Sequence, residues 1–168
     1  MIEIEKTLNP NVLNFYTDKP LLDEGQSIYA DKTAQTDHAL IKDIFSVGGI
    51  KRALLLPDML FIEKEDTADF ELLSPLLMAF LIEYGKIEAS DKELTLSKIE
   101  ALIEARIRPF LVRDDGNIDV IGFNNGVLSI RFQGHCKGCP HADQTLKNII
   151  ERTLKKYLPQ ITEVKKEV

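Results

Sequence analysis

The sequence predicts an α+β protein of two small domains, the second with the element order αββαβ. Three observations point there. Alternating apolar runs of strand type interleave with 3.6-period runs of helix type along 168 residues. Charge divides unevenly: residues 1–86 carry 8 basic and 15 acidic side chains, net −7, whereas residues 87–168 carry 13 and 12, net +1. A stretch rich in small and charged residues, 85–92, lies between the two halves and reads as a linker. The expected boundaries are residues 1–84 for the first domain and 93–168 for the second.

In the first domain, residues 2–7 and 12–17 read as short strands joined by Leu8-Asn9-Pro10-Asn11, a turn-rich tetrapeptide. Pro20 to Lys32 reads as irregular. Thr36 is placed to cap a helix carrying Ala39, Leu40, Ile41, Ile44, Phe45 and Val47, ended by Gly48-Gly49. A hairpin follows, Arg52 to Leu56 and Met59 to Lys64 around Pro57-Asp58. Phe70, Leu73, Leu76, Leu77, Phe80, Leu81 and Tyr84 make the apolar face of a second helix, where Pro75 is tolerable only near the first turn. No catalytic constellation stands out here, and the many carboxylates read as solvated surface.

The second domain opens with a helix through Ile99, Leu102, Ile103, Ile107 and Phe110, with Pro109 near its end. Asp114-Asp115-Gly116-Asn117 reads as a loop. Ile118 to Phe123 and Val127 to Gln133 read as strands joined around Asn124-Asn125-Gly126, because Asn-Gly favours the tight hairpin turn. Leu128, Ile130 and Phe132 then share one face. Leu146, Ile149, Ile150, Thr153, Leu154, Tyr157 and Leu158 recur at helical spacing, and a last strand is expected near Thr162 to Val168. Arg106, Arg108 and Arg131 read as surface or salt-bridging residues, not anion ligands.

Between the second strand and the long helix stands Gln133-Gly134-His135-Cys136-Lys137-Gly138-Cys139-Pro140, which holds the only two cysteines of the chain. Thiols at i and i+3 with a glycine between them can aim at one centre. Gly138 admits a tight turn, and Pro140 suits the first position of a helix, where its missing N–H costs nothing. Cys139 is therefore expected at a helix N-terminus, whose partial positive charge stabilises thiolates, as Lys137 also does. Tetrahedral zinc and the common iron–sulfur clusters want about four ligands. This chain brings two cysteines. Three completions are open. Histidine could supply the rest, although His135 and His141 read better as solvated polar residues around the site and His38 as a helix-surface residue. The pair could be a redox dithiol, as in thioredoxin-like folds, although one helix and one short strand are all that follow the motif. Or a twofold dimer could join two CxxC loops into a four-thiolate site.

Composition removes several classes. Hydrophobic residues make up 44 % and charged residues 29 % of the chain, as in a soluble globular protein. No apolar run reaches the roughly 18 residues that span a bilayer, so no membrane association is expected. No basic stripe with interleaved aromatics favours nucleic acid. The N-terminus is acidic and lacks signal- or transit-peptide character, and paired cysteines fit a reducing compartment; a cytoplasmic location is expected.

The motifs together resemble the NifU-like (Nfu) family of iron–sulfur cluster scaffolds and carriers. In the second domain the likeness rests on Ile107-Arg108-Pro109, Asp115-Gly116, Gly126-Val127-Leu128, the run GHCKGCP at 134–140, and Thr145-Leu146-Lys147 with Ile150-Glu151. In the first it rests on Asn9-Pro10-Asn11, Ile44-Phe45 with Gly49-Ile50, and Pro57-Asp58. The resemblance implies that Cys136 and Cys139 of two subunits hold one [4Fe-4S] cluster, with [2Fe-2S] possible on the same thiolates. It implies a homodimer when the cluster is bound, an upstream cluster donor, and transfer to apo iron–sulfur proteins, with no turnover chemistry and no catalytic residue. The acidic first domain would recognise partners or modulate transfer. A zinc-bridged structural dimer and a dithiol oxidoreductase are the alternatives. His135, His141-Ala142-Asp143 and Asn117 depart from the family pattern, leave the thiolates intact, and bear on how long a cluster survives.

Overall fold

Asn9 makes the first turn of the chain: its carbonyl accepts from the Val12 amide at 3.0 Å and its side-chain Oδ1 from the Asn11 amide at 3.0 Å. The computed structural model describes residues 1–33, 37–86, 94–113, 115–134 and 140–167; at 140–143, 145 and 146 it describes the backbone alone. The chain is α+β and divides into two compact units, Met1–Lys92 and Glu93–Val168.

The first unit is a five-stranded antiparallel sheet with two helices. Its elements are β1 (Ile2–Lys6), β2 (Val12–Thr17), β3 (Ile28–Asp31), α1 (Ala39–Ser46), β4 (Ile50–Leu56), β5 (Met59–Lys64) and α2 (Phe70–Tyr84), and the strand order is β1-β2-β5-β4-β3. Strand side chains alternate between faces. Leu13, Phe15, Ala53, Leu55, Leu60 and Ile62 therefore fall on one face and pack with Leu40, Ile41 and Ile44 of α1 and Leu73, Leu77 and Leu81 of α2. Asp69 caps α2, accepting from the Glu71 amide at 2.9 Å. The Tyr84 hydroxyl donates to Asp43 at 2.5 Å and ties the two helices.

Three readings of this unit need correction. Pro20 to Lys32 is not all irregular, because Ile28–Asp31 pairs antiparallel with β4. Four residues are too few to show alternation by themselves; the open edge of β4 recruits them. The N-cap of α1 is His38, extended and with no side-chain cap bond, whereas Thr36 lies outside the described residues. Leu76 does not join the buried face of α2: it is 47 % exposed, and the buried stripe narrows to Leu73, Leu77 and Leu81. Pro75 sits one turn deeper than expected, at the sixth residue of α2, on its solvent side.

The second unit contains α3 (Leu96–Arg106), α4 (Arg108–Val112), β6 (Gly116–Asn124), β7 (Val127–Gly134), α5 (Pro140–Tyr157) and β8 (Glu163–Lys166). The sheet order is β6-β7-β8, with β6 antiparallel and β8 parallel to β7. Asn125 and Gly126 form the two-residue hairpin turn, both with positive φ, as the primed turn requires. The carbonyl of Gly126 also accepts from the Thr162 amide at 2.7 Å, which seats the entry to β8. Ile118, Leu128, Ile130 and Phe132 are buried, as are Ile99, Leu102 and Ile103 of α3 and Ile150, Leu154 and Tyr157 of α5.

Two boundaries differ from expectation. The first helix of this unit breaks at Ile107, and Pro109 stands at the start of a separate short helix α4. A proline in the interior of one long helix would collide with the carbonyl four residues earlier and supply no N–H. The loop expected at 114–117 ends sooner, since Gly116 and Asn117 already pair with Gly134 and Gln133. Among the described residues no helix is long and apolar enough to cross a membrane.

Candidate metal centre

Arg108 is the knot of the second unit. Its guanidinium donates to Glu104 at 2.9 Å, to Glu100 at 3.4 Å, to the Asn117 side-chain oxygen at 3.2 Å and to the Ile118 carbonyl at 3.3 Å. The acids come from α3, and the other two acceptors from the start of β6. A planar fork with several fixed donors suits such a multi-sided site, which a lysine would fill only in part. The expected salt-bridging role of Arg108 is therefore observed. Arg106 instead lies over the Tyr157 ring at 5.6 Å, and Arg131 is exposed on β7 opposite Asp119.

This knot holds the start of β6, which pairs with the end of β7. Gly116, two residues before Ile118, is the register partner of Gly134, the last residue of β7. Gly134 has φ +66° and Asp115 has φ 56°, so two left-handed residues face each other there. A Cβ on Gly134 would run into the Asp115 carbonyl. The Asp115 amide in turn donates to the Val112 carbonyl at 3.1 Å, which ties this corner to α4. Pro140 opens α5 on the other side.

The predicted site residues Cys136 and Cys139, with His135, Lys137 and Gly138, lie outside the described residues. In sequence these five residues stand between Gly134, the last residue of β7, and Pro140, the first of α5. Among the described residues no cluster of three or more His, Cys, Asp or Glu could hold a metal ion. His38 is the N-cap of α1 in the other unit.

Sequence reasoning missed the Arg108–Asn117 clamp and the Asp115–Gly134 apposition. A signal for the first was present, because Glu100, Glu104 and Arg108 are spaced by four. Farther along α5, Glu151 accepts from Lys155 at 2.7 Å and from the Val164 amide at 3.0 Å, pinning β8. The Lys155 hydrogen bond first, then that from Val164, holds the Glu151 carboxyl below the usual glutamate range.

Known proteins match this sequence along nearly its whole length. Residues 99–165 match the family model described as the NifU-like domain, and residues 2–88 match that described as the N-terminal domain of the scaffold protein Nfu/NifU. The chain belongs to the Nfu/NifU scaffold family. NifU-like protein 4, mitochondrial, of Arabidopsis thaliana is 30 % identical over 99 % of this chain and 65 % of its own length. The human NFU1 iron-sulfur cluster scaffold homolog, mitochondrial, is 28 % identical over 95 % of this chain and 69 % of its own. A NifU-like protein from Saccharomyces cerevisiae solved by NMR covers 55 % of this chain and 86 % of its own, at 24 % identity and a TM-score of 0.49. The chain thus spans about two thirds of the length of the relatives it matches.

The expectation of a cytoplasmic protein is corrected by these relatives, which are named mitochondrial. The physical premise was a reducing compartment for paired thiols, and the cytosol is one reducing compartment among several.

Proposed function

We propose that two copies of this chain hold one [4Fe-4S] cluster through Cys136 and Cys139 of each and pass it to apo iron–sulfur proteins. The observation that carries this reading is a ligand count. The whole chain has two cysteines, three apart, in a protein of the Nfu/NifU scaffold family. A thiolate-bound cluster takes about four. The iron-sulfur scaffold named among the relatives supports the cargo.

The sequence supports the chemistry: Cys139 directly precedes Pro140, the first residue of α5, and a thiol at a helix N-terminus is favoured as thiolate by the helix dipole. Transfer then needs no redox step. An acceptor thiol loses its proton and its sulfur bonds to a cluster iron. The bond from that iron to Cys136 or Cys139 breaks, and the released thiolate takes up the proton. Four such exchanges move the cluster intact, so the protein acts as a scaffold without turnover chemistry. An upstream donor supplies the cluster by the reverse exchange.

Residues 1–84 and 93–168 serve in this reading as separate domains joined at 85–92, the first recognising partners and the second carrying the cluster. The test is anaerobic reconstitution with ferrous iron and sulfide, read by visible spectrum, iron count and mass. The expected result is a broad thiolate–iron band and about four irons per two chains in a dimer. Cys136→Ala and Cys139→Ala should each abolish cluster and dimer together. A colourless monomer with a reversible Cys136–Cys139 disulfide would overturn the proposal in favour of a dithiol oxidoreductase, and a colourless zinc dimer would overturn it in favour of a structural site.

A further inference from the structure

α2 has two apolar faces, and among the described residues only one is packed. Leu73, Leu77 and Leu81 are buried against the sheet. On nearly the opposite side, Leu72, Pro75, Leu76, Ala79 and Ile82 recur at i, i+3, i+4, i+7 and i+10, which places them in one stripe. All five are exposed; Leu72 is 73 % and Ile82 72 % exposed. A surface helix of a soluble protein ordinarily turns polar side chains to water. A contiguous exposed apolar stripe instead marks an interaction surface.

The charges around the stripe say what covers it. Its N-terminal end carries exposed Asp69 and Glu71, and its C-terminal end exposed Glu83. No lysine or arginine lies within α2, and Lys86 just beyond it is paired with Asp23 at 2.5 Å. Residues 1–86 are net −7. A second copy of the chain fits poorly. A twofold antiparallel pair of α2 helices would set Asp69 and Glu71 of one against Glu83 of the other, and like charges across an interface disfavour it. Anionic membrane surfaces meet the same repulsion. The complementary occupant has an apolar centre and a basic rim.

We propose that the outer face of α2 docks a partner protein through an amphipathic helix whose apolar side is flanked by Lys and Arg. The inference stands apart from the cluster reading, because it concerns the unit without cysteines and holds whatever metal those cysteines take. Its aliphatic stripe supplies the contact, and Asp69, Glu71 and Glu83 select the basic rim and speed encounter.

The test uses the full-length protein and two synthetic helical peptides with leucine at i, i+3, i+4 and i+7, one with lysine at the flanking positions and one with glutamate. Binding is followed by backbone amide chemical shifts and by anisotropy at several salt concentrations. The lysine peptide is expected to shift resonances along 70–84 saturably and to weaken as salt rises. The triple variant Leu72→Ser, Leu76→Ser, Ile82→Ser should bind it at least about tenfold more weakly, as removing three aliphatic contacts predicts. The variant Glu71→Lys, Glu83→Lys leaves the stripe intact and should reverse the preference between the peptides. Equal binding of both peptides, or shifts confined to other elements, would overturn the proposal. So would a mass that grows with protein concentration and stops growing in the serine variant, since that assigns the face to a second copy. Uptake by phosphatidylcholine vesicles would assign it to lipid.

Discussion

Each unit has a left-handed glycine pressed against a neighbouring piece of chain, and the two are used differently. Gly49 enters β4, and a Cβ on it would lie 2.6 Å from the Cβ of Ala68 in the approach to α2. That closeness lets a loop pack on the sheet of a unit with an extended apolar core. Gly134 leaves β7, and a Cβ on it would strike the backbone carbonyl of Asp115. That closeness fixes the end of β7 against the start of β6, and both cysteines follow Gly134 in sequence. The same backbone device serves loop packing in one unit and closes a strand pair in the other. The difference teaches that the end of β7 depends on a specific corner, with Arg108 gripping the start of the paired strand, more than on the bulk of hydrophobic burial.

The sharpest way to break that comparison is Gly134→Ala. Positive φ and collision with a backbone oxygen together should cost at least about 3 kcal/mol locally. Iron per chain after reconstitution should fall to a small fraction, while proteolysis and amide exchange of the first unit stay as in the parent. Leu77→Ala is next, and acts on the other side. Leu77 is fully buried, so its truncation should destabilise the first unit by about 3 kcal/mol. Leu76→Ala, one residue away and exposed, should cost under about 0.5 kcal/mol by denaturant titration. Equal effects at 76 and 77 would erase the two-faced account of α2.

Arg108→Ala should cost about 2 kcal/mol by removing the guanidinium that bridges Glu100 and Glu104 to Asn117 and the Ile118 carbonyl. Arg108→Lys should recover only part of the lost cluster retention, measured as the half-time of bleaching under a chelator, because an ammonium cannot reach both sides of the clamp. Gly49→Ala should cost about 1 to 2 kcal/mol and leave cluster uptake unchanged. Adding Ala68→Gly removes the opposing Cβ and should restore part of the loss, whereas Gly134 has no such side-chain remedy.

Glu151 gives the smallest effect and a direction with pH. Its folded carboxyl is held below the ordinary glutamate value of about 4.3 by Lys155 and the Val164 amide. A depressed folded pKa contributes stability that is fully present above the unfolded value and is lost as pH falls through the folded one. Glu151→Gln should therefore lower the Tm of the second unit at neutral pH. The gap to the parent should narrow as pH falls below the ordinary glutamate value of about 4.3 and through the lower folded one. A gap constant from pH 7 to pH 3 would show that Glu151 acts through neutral hydrogen bonding alone.

Much of the fold was legible in local pattern. The hairpin at Asn125-Gly126 was readable because the primed turn needs positive φ at both positions, a demand satisfied within two residues. The helix at α5 was readable because Ile150, Leu154, Tyr157 and Leu158 repeat at the helical period. The misses have one physical source. β3 is a strand because β4 offers it an edge, and nothing inside Ile28–Asp31 carries that information. Leu76 looks like a core residue in any pattern count, since periodicity shows which side chains share a face but not whether a partner covers it. Pro109 was seen, yet whether it ended one helix or began another depended on Glu100, Glu104 and β6 gathering around Arg108.

Of the candidate centre, the sequence by itself determined the donor chemistry: two thiols at a fixed spacing, half of the about four thiolates a cluster takes, and a proline to open the helix after them. Those are properties of covalent order and residue type, which no packing can alter. Only the tertiary structure decided what holds the end of β7 before the thiols in sequence, because Arg108, Asp115, Asn117 and Gly134 are linked across up to 26 residues through strand pairing and side-chain geometry. Likewise only packing decided that one apolar stripe of α2 would be buried and the other left facing water.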